Sequence, residues 1–245
     1  LEPAGFWGLE IKWDGARTIS YLDGTGLRLL TRNGNVVTAR YPELAELREL
    51  LGNRTAILDG EVIATDASGR PSFSRLQERM MLSRPEAIRT VAARVPVTSI
   101  LFDVLWLDRS LTGLTYRGRR EVLESLPLDG ARIVVPPAWP GTDAEQDLAF
   151  TRDHGLEGLI AKRLASTYAA GIRSRDWIKL KNVRLLDVTV VGWVPTGKTV
   201  KALLLGVPDD GGGCGMSARS ARASPMRSAG PWPRCWSAWP RLPRR

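Results

Sequence analysis

The stretch Glu10-Ile11-Lys12-Trp13-Asp14-Gly15-Ala16-Arg17 decides how this chain is read. Residues 6–12 are apolar and strand-like, Asp14-Gly15 breaks the run, and residues 16–21 resume as a second strand. Taken alone, Lys-x-Asp-Gly is a charged strand end entering a turn. Its chemical reading is a lysine nucleophile. A lysine amine attacks only after losing its proton, against a reference pKa of about 10.4. Such a lysine therefore calls for cations or a metal nearby.

Outward from this stretch, short strands and helices alternate irregularly. Residues 16–21 and 27–31 flank Asp23-Gly24-Thr25-Gly26, a hairpin signal, and Asn33-Gly34 marks a further turn. Pro42 opens a helical pattern with Leu44, Leu47, Leu50 and Leu51 on one face. Further strands are expected over 56–64, 95–107, 156–162 and 177–181. Helices are expected over 72–81, 117–126 and 142–154, the last with Thr142 as N-cap and Glu145 three residues on. The pattern is α+β with antiparallel sheets. A boundary falls near 182–186, and residues 188–194 and 202–207 then flank a Thr196-Gly197 turn, as a small β-barrel begins. No internal repeat is visible.

Composition narrows the classes. The 245 residues carry 35 Lys plus Arg against 26 Asp plus Glu, a formal net charge of +9. Seven arginines (219, 222, 227, 234, 241, 244 and 245) lie in 212–245 with no acid, leaving the preceding 211 residues nearly neutral at +2. Both cysteines, Cys214 and Cys235, also lie in that tail. Two Cys and one His make neither a four-cysteine zinc site nor a disulfide framework. His154 reads as a helix-end residue. No apolar run reaches the roughly 20 residues that span a bilayer, and no secretory signal opens the chain. Its first residue, Leu1, is read as that of a fragment or a processed chain.

Five further segments follow Lys12 in order: Thr31-Arg32-Asn33-Gly34; Asp59-Gly60-Glu61; Phe102-Asp103; Glu157-Gly158-Leu159-Ile160-Ala161-Lys162; and Trp177-Ile178-Lys179-Leu180-Lys181. Each alone is a turn, a core aromatic or a solvated strand face. Together, in this order, the six segments resemble the covalent nucleotidyltransferase superfamily, and within it ATP-dependent DNA ligases, especially the ligase module of bacterial end-joining ligases. The stretch Tyr168-Ala169-Ala170-Gly171-Ile172-Arg173-Ser174-Arg175-Asp176-Trp177 resembles what those ligases carry before their two-lysine strand. The likeness covers roughly 6–210.

The resemblance implies a nucleotidyltransferase (ATP-grasp-like) adenylation domain over 1–182, the start of an OB-fold barrel over 183–211, and an atypical, disordered basic tail over 212–245. It implies Lys12 as the catalytic nucleophile that forms a lysine–AMP intermediate, with ATP and Mg²⁺ (or Mn²⁺) as cofactors. Glu10 would accept from the adenine edge. Arg17 would meet ribose or phosphate, and Arg32 a phosphate. Glu61 would hold the ribose hydroxyls, and Phe102 would stack on adenine. Lys162, Lys179 and Lys181 would neutralise phosphates. Glu157, Asp59 and Glu61 would be the metal carboxylates. Asp103 and Trp177 are expected to be structural. The implied partners are nicked or broken duplex DNA and end-joining repair proteins, for a cytoplasmic, nucleoid-associated bacterial monomer away from membranes. An RNA ligase or capping-type enzyme, or a non-catalytic nucleic-acid-binding fragment, are the alternatives.

The tail departs from the family at Gly211-Gly212-Gly213. Read with codons that begin one base early, residues from Cys214 onward permit V-R-Y-V-G-x-V-G-T-G-F-T-D-A, which resembles the family's barrel at this place. A frameshift in a run of G bases is thus expected, with a damaged barrel and weakened self-adenylation.

Overall fold

The computed structural model describes residues 5–141, 143–172, 174–183, 187–196, 199–208, 214–215 and 220–222. Thr142, Arg173, Gly197 and most of the tail, with Cys235, Trp232, Trp236 and Trp239, lie outside the described residues. The chain divides into two units, Leu1–Asn182 and Val183–Arg245.

In the first unit, β1 (Trp7–Ile11) precedes the hairpin of β2 (Ala16–Asp23) and β3 (Gly26–Thr31). Two 3-10 turns, Thr38–Arg40 and Pro42–Ala45, lead into α1 (Glu46–Leu51). Then come β4 (Ala56–Ala64), α2 (Phe73–Met80), α3 (Pro85–Arg94), β5 (Val97–Leu107) and α4 (Tyr116–Glu124). The unit ends with β6 (Ile133–Val134), β7 (Trp139–Pro140), α5 (Ala144–Asp153), β8 (Gly158–Arg163) and β9 (Trp177–Lys181).

These strands form two sheets. The larger has the order β3-β2-β4-β5-β6 and is antiparallel except for the parallel β5-β6 pair. The smaller has the order β7-β1-β8-β9 and is antiparallel throughout. Period-two alternation makes each sheet two-faced. On β4, Leu58, Val62 and Ala64 enter the main core, where Leu44, Leu47 and Leu51 of the predicted Pro42 pattern join them. Asp59 and Glu61 occupy the other face of the strand.

Helix starts follow local chemistry. The Ser72 hydroxyl caps α2 and the Thr115 hydroxyl caps α4, each accepting from a backbone N–H. The cap of α5 is Asp143, which accepts from the N–H groups of Glu145 and Gln146, so the helix starts later than the Thr142 reading placed it. Helix α3 was not foreseen, because Ile88 is its one buried residue and its apolar stripe is too thin to read. Arg79, fully buried, ties α2 to the chain around it. It forks onto Glu43 at 2.7 and 3.0 Å and donates to the carbonyls of Arg40 and Val95.

In the second unit, β10 (Thr189–Thr196) and β11 (Thr199–Pro208) form an antiparallel hairpin. The tail, expected to be without structure, supplies two short strands, β12 (Cys214–Gly215) and β13 (Ser220–Arg222), both antiparallel to β11. Ladder bonds are made by the main chain, so an open strand edge pairs with whatever backbone follows it. No helix among the described residues is long and apolar enough to cross a membrane.

Candidate active site

The smaller sheet builds one wall of a cleft. Trp7 and Leu9 of β1 turn to one side, buried with Leu159 and Ala161 of β8 and packed by Leu148 of α5 and by Ile178 and Leu180 of β9. Gly8 and Glu10 therefore face the other way. Across the strands, Gly8 opposes Lys162, which opposes Trp177. Glu10 opposes Ile160, which opposes Lys179, and Gly158 opposes Lys181. Glu10, Lys162, Trp177, Lys179 and Lys181 thus share one face.

The larger sheet supplies the second wall. Arg17 of β2 opposes Glu61 of β4, and Ile19 opposes Asp59. Phe102 is the unpaired residue of a bulge, since Asp59 opposes Asp103 while Gly60 opposes Leu101. A bulge re-aims one side chain. Here the Phe102 ring meets Trp177 of the smaller sheet edge-on, centroids 6.1 Å apart at 76°. The two walls meet at this contact.

Lys12 lies at the end of β1, its N–H bonded to the Gly158 carbonyl at 2.8 Å. Its ammonium donates to the Glu157 carboxylate, whose other oxygen is 3.5 Å from Lys181 Nζ. Two glycines make this geometry possible. Gly158 has φ +139°, and a Cβ there would lie 2.0 Å from the Leu180 carbonyl oxygen. A Cβ on Gly15 would lie 2.4 Å from the Val62 carbonyl oxygen, so only glycine lets the turn after Lys12 pass against β4.

Arg17 is held firmly. Its Nε and Nη2 fork onto Asp59 at 2.9 and 2.5 Å, and the Tyr168 hydroxyl accepts from Nη2 at 3.3 Å while donating to Asp59 at 3.0 Å. The Asp59 hydrogen bond pushes the Arg17 guanidinium further up, and burial pushes the Tyr168 hydroxyl up. The guanidinium sits 5.9 Å from the Phe102 ring and 5.8 Å from the Trp177 ring. Burial pushes the Glu61 carboxyl up to about 7, with Lys12, Arg17 and Lys179 pulling it down and Asp59 pushing it up.

Three of the expected site residues are buried and already paired. Asp59 is fully buried, and Arg17 and Tyr168 occupy both its oxygens, so it faces no metal. Glu10 is 2% exposed. One of its oxygens accepts from the Tyr116 hydroxyl, with Arg120 at 3.6 Å, and the other lies 2.6 Å from Lys162 Nζ. It lies beneath the cleft surface and presents no free edge to a base. Lys162 is buried completely, whereas a lysine that touches phosphates must reach the cleft.

The remaining candidates sit differently. Glu157 and Glu61 remain in the cleft, and Lys179 and Lys181 are exposed on the predicted face. Arg32 is exposed on the turn after β3, and no contact among the described residues ties it to the Lys12 group. Asp103 forks onto buried Arg119 at 2.8 and 3.0 Å, a structural pair. His154 caps the end of α5, with its Nδ1 2.8 Å from the Phe150 carbonyl oxygen. Trp177, expected to be purely structural, lines the cleft. Its alternation with Lys179 and Lys181 was the available signal. Tyr116 and Arg120 carried no such signal, because α4 meets β1 only through the fold.

Comparison with known proteins agrees with this arrangement. The ATP dependent DNA ligase domain family matches residues 3–181. The multifunctional non-homologous end joining protein LigD of Mycobacterium bovis is 39% identical over 214 residues, covering 85% of this chain and 26% of that protein. A probable DNA ligase of Streptomyces avermitilis is 41% identical over 193 residues, covering 76% of this chain and 37% of that protein. The structure of mycobacterial DNA ligase D complexed with ATP and MES superposes with a TM-score of 0.64 at 39% identity, over 84% of this chain and 63% of that one. The chain therefore spans about a quarter to two-fifths of the length of these curated relatives. With a family match over most of its length and relatives about 40% identical across it, the chain belongs to the ATP-dependent DNA ligase family.

Proposed function

We propose that this chain is the adenylation module of an ATP-dependent DNA ligase that seals 5′-phosphate/3′-hydroxyl breaks through a lysine–AMP intermediate. The observation that carries the reading is Lys12 itself, at the end of β1, paired with a Glu157 carboxylate that Lys181 of β9 also approaches. The Lys12 amine, having lost its proton, attacks the α-phosphorus of ATP. The new N–P bond forms as the bond to pyrophosphate breaks. AMP then passes to a 5′-phosphate, and the 3′-hydroxyl displaces it. Each step is a phosphoryl transfer, in which positioning and charge neutralisation supply most of the catalysis.

Glu157 must release Lys12 before attack, and Lys181 stands ready as its alternative partner. Arg17, braced by Asp59 and Tyr168, would meet the ribose or α-phosphate. Glu61 would hold ribose hydroxyls, and Phe102 and Trp177 would flank the base. Exposed Lys179 and Lys181 would neutralise the triphosphate, and Arg32 a phosphate of the nick. Among the described residues no cluster of three metal-binding side chains occurs. Mg²⁺ or Mn²⁺ still fits Glu157 with Glu61, because such ions take one or two carboxylates plus substrate phosphates. When bound, the ion would offset phosphate charge.

The domain limits 1–182, 183–211 and 212–245 belong to the same proposal, with β10 and β11 as the start of an OB-fold barrel. So do nicked or broken duplex DNA and end-joining proteins as partners, and a monomer in a bacterial cytoplasm, associated with the nucleoid. The out-of-frame tail is tested by the gene's nucleotide sequence, and a neighbouring frame that fails to encode V-R-Y-V-G-x-V-G-T-G-F overturns it. The ligase reading is tested with ATP labelled at the α-phosphate and with a pre-adenylated nicked duplex. Label on wild-type protein that is lost in Lys12→Ala supports it. Absence of both labelling and sealing in wild type overturns it.

A further inference from the structure

A cavity of about 390 Å³ lies apart from the Lys12 group, between α4 and the β7 edge of the smaller sheet. Lys12, Arg17, Glu61, Phe102 and Glu157 take no part in its lining. Its body is apolar and comes from separate elements: Tyr116 of α4, Trp139 and Pro140 of β7, and Leu164 just after β8. Gly8 of β1 also lines it. A Cβ on Gly8 would come within 3.2 Å of both Leu164 Cδ2 and Tyr116 Cε1, so these two side chains lie directly on the strand.

Arg120 of α4 is the buried polar group of the lining, and it is 6% exposed. Its Nε donates to Glu124 at 2.6 Å, and its Nη2 donates to the Pro136 carbonyl. Its Nη1 has no hydrogen-bond partner among the described residues. Glu10 Oε1, 3.6 Å away, pairs with it in charge but is too far for a hydrogen bond. A buried donor without an acceptor is costly, and the large majority of such groups are matched. A mainly apolar cavity of this size with one such donor has the make-up of a small-molecule site.

Charge sets the class of ligand. Arg117 and Arg120 share the lining with Glu121 and Glu124, and Glu10 stands behind Arg120. Two cations against three carboxylates leave no positive excess, so an anion gains little by entering. An ammonium would bring donors to a donor. A neutral carbonyl accepts from Nη1 and carries no charge to desolvate. We propose that this cavity is a binding site for an uncharged aryl amide, its ring against Tyr116 and Trp139 and its carbonyl accepting from Arg120 Nη1.

The test is ligand-observed NMR titration of the full chain with benzamide, benzoate and benzylamine, probes of nearly one shape. Benzamide binds at least about ten-fold more tightly than either charged probe. Equal affinities, or a preference for a charged probe, overturn the proposal. No benzamide binding at all leaves water as the partner of Nη1 and overturns it too. Ala138→Trp fills the cavity and leaves Arg120 in place, whereas Arg120→Met removes the donor and keeps the cavity. Each lowers benzamide affinity about ten-fold or more. Benzamide affinity that survives in either variant, with the melting temperature kept, places the probe elsewhere and overturns the proposal. Saturating ATP leaves benzamide bound, and displacement of benzamide by ATP puts the probe in the Lys12 cleft and overturns it.

Discussion

The two walls of the cleft are held in different ways. The larger sheet rests on a continuous core drawn from β2 to β6 and from α1, α2 and α4, and its charged groups are locked by guanidinium–carboxylate forks: Arg17 on Asp59, Arg119 on Asp103. The smaller sheet rests on four buried residues, Trp7, Leu9, Leu159 and Ala161, and presents ammonium groups on strand ends. A planar fork fixes geometry, whereas a lysine ammonium on a four-carbon stem adjusts to moving charge. Under the proposed function, the forked wall would hold the ribose through Arg17 and Glu61. The softer wall would then carry the proposed nucleophile Lys12, which is paired with Glu157.

The largest test of this contrast is Arg119→Ala. It leaves Asp103 buried without its partner, and stability falls by about 3–5 kcal/mol in urea unfolding. A loss under about 1 kcal/mol would mean that this fork does not hold the rigid wall. Next, Leu159→Ala hollows the small core and costs about 2–4 kcal/mol. Hydrogen exchange should then show amides of β8 and β9 losing protection while those of β4 and β5 keep theirs. Equal loss in both sheets would erase the distinction.

A smaller effect comes from Glu61. With its carboxyl at about 7 when folded, against an ordinary 4.5, the folded state binds more protons between those values. Stability therefore falls as pH rises from about 4.5 to about 7, by on the order of 2–3 kcal/mol. Glu61→Gln removes that slope, and a variant profile parallel to wild type would count against the buried acid. The smallest stability change is expected at exposed Arg32. Arg32→Ala should shift stability by no more than about 0.5 kcal/mol, yet lower the salt slope of nick binding by about 1. An unchanged slope would remove Arg32 from the phosphate contacts.

Much of the smaller wall was readable in advance. Alternation alone put Lys179 and Lys181 on one face, and Asp14-Gly15 announced the turn that the close pass against Val62 requires. The Pro42 pattern named the core leucines 44, 47 and 51. The larger wall was less legible. Asp59 and Glu61 share a strand face and look equivalent in sequence, but Arg17 and Tyr168 claim one while the other stays in the cleft. Glu10 and Lys162 resembled nucleotide contacts until their burial placed them beneath the cleft surface.

The sequence by itself determined the order of the motifs, the face on which each strand residue lies, and the identity of Lys12 as the candidate nucleophile. The order and faces follow from covalent spacing and the two-residue period of a strand, and Lys12 from the likeness of the six ordered segments to a ligase family. Only the tertiary structure decided which charges are spent on one another. Glu10 finds Tyr116 across 106 residues and Lys12 finds Glu157 across 145. Whether a charged group faces a substrate or a buried partner depends on desolvation and on through-space neighbours, which no local spacing encodes.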